Sequence, residues 1–139
     1  MENYQVSMDV EYAGELNTRA IHGPSGQILF TDAPVDNQGK GAYFSPTDLM
    51  AASVGSCITT TFAIVARRDG LDLTGLKVRV RKEMTQTAPR RIAKLYLDFT
   101  IPTGFSEEDL IKLKNTVRAC PAVRSLHPDV ELISNYRSE

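Results

Sequence analysis

The chain has 139 residues, with 16 Lys+Arg against 17 Asp+Glu and a net charge of -1. That length suits one domain, residues 1–139, whose core removes roughly two-thirds of the unfolded surface from water. At 42% hydrophobic and 24% charged residues the composition excludes a disordered chain. The near-neutral charge gives no electrostatic ground for nucleic-acid or anionic-membrane binding.

The first residues, MENYQVSMDVEY, carry neither a basic leader nor an apolar stretch, so a cytoplasmic protein is expected. Loose alternation over residues 4–12 predicts a strand. Ala13-Gly14 reads as a turn, residues 15–21 as a second strand and Gly23-Pro24-Ser25-Gly26 as a second turn. Residues 27–31 complete an antiparallel meander. Residues 32–44 form a polar loop long enough to be functional.

Ser45-Pro46-Thr47-Asp48 opens a helix. Ser45 suits the N-cap, Pro46 the first helical position, and Asp48 closes a capping box at the positive end of the dipole. The helix runs to about Arg68, with Gly70 beyond its end. Residues 49–66 carry no charge and are long enough to span a bilayer marginally. Their Ser, Thr and Gly content argues instead for a helix buried in protein. Because it is apolar nearly all round, a second subunit is expected to cover what one sheet leaves bare.

Residues 76–84 alternate, with Leu76, Val78 and Val80 on one face and Lys77, Arg79 and Arg81 on the other. Pro89-Arg90-Arg91 breaks the chain before a strand at Ile92–Ile101. Ser106 caps a second helix with Glu107, Glu108 and Asp109 in its first turn, and Leu110, Leu113 and Val117 on its apolar face. Pro121 breaks or restarts it, and residues 130–133 make a short last strand. The order is β-β-β-α-β-β-α-β, an α+β domain with antiparallel sheet.

The two cysteines are too sparse for a disulfide framework. They read as buried thiols, metal ligands or redox groups. Cys57 lies mid-helix, about three turns from the positive end, where burial raises a thiol pKa. A reactive Cys57 therefore calls for an outside cation, such as an arginine. Cys120 becomes an N-cap if a short helix starts at Pro121, which favours its thiolate. His22 and His127 stand beside turn residues, at spacings that match no common zinc site. The Lys77–Lys82 stripe reads as a solvated strand face, and Arg90-Arg91 as a surface turn or a pair aimed into a site.

Three segments together resemble the OsmC/Ohr family of thiol peroxidases. They are Ser45-Pro46-Thr47-Asp48-Leu49, then Ala51-Ala52 and Gly55-Ser56-Cys57 on one helix, and Ala119-Cys120-Pro121-Ala122-Val123. The residues from Gly70 to Val80 and Pro89-Arg90-Arg91-Ile92 resemble the OsmC-like branch. The resemblance implies a single OsmC-like domain in an intertwined homodimer, with antiparallel sheets wrapped around two central helices. It implies reduction of organic hydroperoxides, with Cys57 as the peroxidatic and Cys120 as the resolving cysteine, and recycling by a dithiol of lipoyl type. No cofactor, metal, nucleic acid or membrane is expected.

In the family the acidic residue follows the Pro directly. Here Thr47 stands there and Asp48 is one further on, about 100° around the helix. Arg19 is the only arginine before the first helix, so it is the candidate for the family's activating cation, with Asp48 orienting its guanidinium. Arg90 or Arg91 is the rival. The other reading of the same fold is a dimer that binds a small apolar ligand or senses oxidants without turnover. Met50, Ile58 and Phe44 are candidates for an apolar pocket.

Overall fold

The computed structural model describes residues 3–139. The elements in order are β1 (Met8–Gly14), β2 (Asn17–His22), β3 (Ile28–Asp32), a 3-10 turn (Val35–Asn37) and α1 (Pro46–Asp69). After these come β4 (Lys77–Met84), β5 (Ile92–Ile101), α2 (Glu107–Ala119), α3 (Pro121–Arg124) and β6 (Glu131–Ser138). The chain divides into two compact units, one reaching to Leu49 and the other spanning Met50–Glu139.

The first unit is the antiparallel meander β1-β2-β3. Pairing starts at Met8 opposite His22, so β1 begins later than the alternation from Tyr4 suggests. The hairpin turn is Glu15–Leu16 rather than Ala13-Gly14. Both residues have positive φ, 56° and 63°, as a two-residue turn matched to strand twist requires. An irregularity between Tyr12 and Gly14 shifts the turn along the chain. The loop after β3 is tied down by buried Asp32, whose carboxylate accepts from the Ala42 N–H at 3.0 Å.

The second unit is the sheet β4-β5-β6 with α1, α2 and α3. β4 and β5 are antiparallel. β5 and β6 are parallel, so this sheet is mixed where antiparallel pairing was expected. The reason is topological: α2 and α3 intervene, and a helical crossover returns the chain in the same direction. β6 also runs to Ser138, well past the expected residue 133, because it pairs along β5 from Glu131 to Ser138. An irregularity opposite Glu83 and Met84 resets the β5 alternation. Ile92 therefore joins Leu95, Leu97, Phe99 and Ile101 in the core despite its different parity.

On α1, Ala51, Val54, Gly55, Ile58, Phe62 and Ala66 form the buried face, at helical spacing. Each large side chain so buried contributes about 1.5–3 kcal/mol. Gly55 lets the helix approach β4 closely: a Cβ there would stand 2.8 Å from Val80 Cγ2. The other side of α1 is uncovered, with Met50 and Ile64 47% and 55% exposed. By length and composition α1 is also long and apolar enough to cross a membrane. Its C-terminus closes as expected: Gly70 takes φ 68°, and the Leu71 N–H reaches back to the Ala66 carbonyl at 3.0 Å. Lys112 Nζ on α2 pairs with Asp69 Oδ2 at 2.7 Å, joining the two helices.

Candidate active site

Cys57 and Cys120 are brought together in the second unit, both as free thiols. α1 delivers Cys57 on the flank of its buried face. Cys120 is the C-cap of α2 and the N-cap of α3, fully buried at the junction. Pro121 makes that junction: it has no N–H to continue α2 and is preset for the first position of α3. The short helix α3 then presents its first free N–H groups, those of Ala122 and Val123, to the two sulfurs.

Burial is the largest single influence on Cys57 and pushes its pKa up. The Cys120 thiol, the Ala122 N–H and the Thr61 hydroxyl each pull it down, and the net result lies below the ordinary thiol value. Cys120 moves the other way. Burial raises it, the hydrogen bond it gives to Cys57 raises it further, and the N–H groups of Val123 and Ala122 only partly compensate. The pair is thus ordered in acidity, with Cys57 the more readily ionised thiol and Cys120 the more weakly acidic one.

Two sequence expectations are corrected here. Position at an N-cap does not make Cys120 the easier thiolate, because full burial outweighs the nearby N–H groups. Nor does burial leave Cys57 raised, because three neutral donors reverse it. Thr61 was missed by the sequence reading. Its signal was the spacing of four from Cys57, which places both on one helix face.

Asp48 forms the expected capping box: the Ser45 N–H donates to Asp48 Oδ2 at 2.9 Å, and the Asp48 N–H donates to Ser45 Oγ at 3.0 Å. Arg19 lies on β2, where Nη1 pairs with Glu11 Oε1 of β1 at 3.2 Å. Both belong to the first unit. The Arg91 guanidinium donates to the Ile92 carbonyl at 2.8 Å. Of the apolar candidates, Ile58 is part of the core, whereas Met50 and Phe44 are exposed. His22 Nδ1 meets Ser25 Oγ at 2.6 Å, and His127 Nδ1 accepts from the Asp129 N–H at 3.0 Å. On the basic stripe, Arg81 Nε pairs with Asp98 Oδ2 at 3.0 Å and its guanidinium lies over the Tyr96 ring.

The sequence profile of the OsmC-like protein family matches residues 39–134. This chain belongs to the OsmC-like family. The matched region takes in Asp48, both cysteines and Thr61. A solved Psychrobacter arcticus protein, described as an osmotic stress induced and detoxification response protein, is 38% identical to this OsmC-like chain. The match covers 98% of each chain with a TM-score of 0.90. An organic hydroperoxide resistance protein OsmC from Legionella pneumophila is 17% identical, with 98% of each chain covered and a TM-score of 0.77. An organic hydroperoxide resistance protein from Elizabethkingia anophelis is 15% identical, with 99% of each chain covered and a TM-score of 0.79. At the last two identities the likeness is one of fold. Among curated proteins no sequence matches this OsmC-like chain at a significant level.

Proposed function

We propose that this chain is a cytoplasmic thiol peroxidase that reduces organic hydroperoxides as a homodimer of single OsmC-like domains. Membership of the OsmC-like family and the hydroperoxide-resistance names of its structural neighbours support a peroxide-related redox role. The observation that carries the finer reading is the pairing of two free thiols shifted in opposite directions. Attack on a peroxide needs a thiolate, and closure of a disulfide needs a second thiol within reach.

The Cys57 thiolate attacks the terminal oxygen of ROOH. An S–O bond forms, the O–O bond breaks, and RO⁻ leaves with the electron pair and takes a proton to become ROH. The Cys57 sulfenic acid then condenses with the Cys120 thiol, giving the disulfide and water. A dithiol of lipoyl type restores both thiols by exchange and is itself oxidised to a disulfide. In this reading Arg19 supplies positive charge for the thiolate and the departing alkoxide, and Asp48 orients it. The exposed apolar residues Met50 and Ile64 on α1, and Met8, Val10 and Tyr12 on β1, support a homodimer that covers them.

The test is thiol counting after one equivalent of cumene hydroperoxide, followed by turnover with dihydrolipoamide. Loss of both free thiols, abolished by Cys57→Ser, with many turnovers per chain, is expected. Unchanged thiols would overturn the peroxidase reading. A single disulfide that no dithiol recycles would replace it with oxidant sensing.

A further inference from the structure

Three threonines, Thr59, Thr60 and Thr61, occupy the middle of α1. Threonine is a poor helix former, because its branched side chain loses freedom against the preceding turn. A run of three in a helix interior breaks the local rule, and such breaks gather at working sites. What the hydroxyls do separates them. Thr59 Oγ1 donates to the Gly55 carbonyl at 2.9 Å, the usual outlet for a helical threonine. Thr116 on α2 does the same with the Lys112 carbonyl at 2.9 Å. The Thr61 hydroxyl instead meets Cys57 Sγ, at 3.8 Å.

We infer that Thr61 is a dedicated hydrogen-bond donor to the reacting sulfur of Cys57, holding it as a thiolate and fixing its direction of attack. The residue is half-buried, which reduces the competition from water for its hydroxyl. The donation acts on Cys57 in the same direction as the Ala122 N–H and the Cys120 thiol. Like the Ala122 N–H, Thr61 differs from Cys120 in one respect. Cys120 is consumed when the disulfide forms, whereas the Thr61 hydroxyl keeps its proton through the whole cycle. It can therefore also stabilise Cys57 as the leaving thiolate when the disulfide is reduced. A contact of this length shortens once the sulfur carries charge, as hydrogen bonds at reacting groups do when the productive state forms.

The catalytic consequence rests on the peroxidase reading above, but the donor role is read without it. The reduced full-length protein is alkylated with iodoacetamide from pH 5 to pH 10, and modification of Cys57 is followed by peptide mass in wild type, Thr61→Val and Thr61→Ser. Valine keeps the shape and removes the hydroxyl. Its midpoint is expected to rise by about one pH unit, which lowers the rate at pH 7 about tenfold, while the rates converge at pH 10. Serine restores the hydroxyl and is expected to return within about threefold of wild type.

An unchanged midpoint in a folded Thr61→Val protein overturns the inference, as does an equal loss at every pH, which marks a packing effect. Should Thr61→Val not fold, Thr61→Ala is read by the same criteria. Oxidation of Cys57 by cumene hydroperoxide is measured alongside and is expected to fall in parallel at pH 7. If wild type does not react with the hydroperoxide, the peroxidase reading fails while the alkylation midpoint still decides the role of Thr61.

Discussion

The Cys120 thiol donates toward the Cys57 sulfur, and this contact lowers Cys57 while adding to the burial that raises Cys120. A proton shared this way is bound more tightly by Cys120 and less tightly by Cys57, so the order of ionisation is built into the junction between α2 and α3.

Cys120 therefore bears on the acidity of Cys57 in the reduced protein. Cys57 lies below the ordinary thiol value and is expected to alkylate first as pH rises from 6, with Cys120 following only above the ordinary thiol range. Cys120→Ala removes a donor, so the Cys57 midpoint is expected to move up. The Cys57 sulfenic acid, left without a partner, is expected to accumulate and over-oxidise to the sulfinic state. Site-resolved mass spectrometry with dimedone trapping reads both effects. A Cys57 midpoint unmoved by Cys120→Ala contradicts the contact.

The sign for stability follows from the same shifts. The lowered Cys57 contributes stability above its unfolded pKa and loses it as pH falls through its folded value. The raised Cys120 contributes below its unfolded pKa and loses it as pH rises through its folded value. The double variant Cys57→Ser/Cys120→Ala carries neither shifted group and is thus expected to lose the pH dependence of the urea midpoint that wild type shows across the thiol range.

Arg19→Ala is expected to slow Cys57 oxidation by one to several powers of ten with little loss of stability. The Arg19–Glu11 pair is solvent-accessible, and such pairs contribute at most about 1 kcal/mol. Glu11→Ala removes the same pair and is expected to leave the rate unchanged. Lysine at position 19 should rescue only in part, because an ammonium lacks the planar fork. If Arg19→Ala oxidises at the wild-type rate across pH 6 to 9, Arg90 and Arg91 become the residues to substitute.

Gly55→Ala sets helix propensity against packing. Alanine gains about 1 kcal/mol as a helix former. Its Cβ, however, would stand 2.8 Å from Val80 Cγ2 and 3.4 Å from Val78 Cγ1, and overpacking costs about 1–3 kcal/mol. A net loss is expected in urea denaturation, relieved by adding Val80→Ala. A more stable Gly55→Ala protein would show that β4 yields without cost.

Sedimentation equilibrium at micromolar concentration is expected to show a dimer that does not dissociate without unfolding. Charge substitutions at the exposed Ile64 and Met50, to Glu, are expected to lower the melting temperature far more than surface changes usually do. A folded, stable monomer would remove the homodimer from the proposal.

Features set by neighbours in the chain were legible in the sequence. The Ser45/Asp48 and Ser106/Asp109 caps, the Gly70 stop, the alternation in β4 and the new helix at Pro121 all depend on interactions spanning a few residues. Side-chain chemistry and backbone preference fix such features wherever they occur. The location of Cys120 at a helix start was legible for the same reason. Features set by distant pairing were not. The parallel pairing of β6 along all of β5, and the reset that turns Ile92 inward, depend on a register that no local pattern encodes. Polar residues such as Ser134, Asn135 and Arg137 mask β6 in the sequence, yet Asn135 is at home there, donating to Asp98 Oδ1 at 3.0 Å. The acidity of the cysteines was decided last and only in three dimensions. Burial alone predicts a raised Cys57, and its reversal needs the Ala122 N–H and the Cys120 thiol, more than sixty residues away in sequence, folded against the same sulfur.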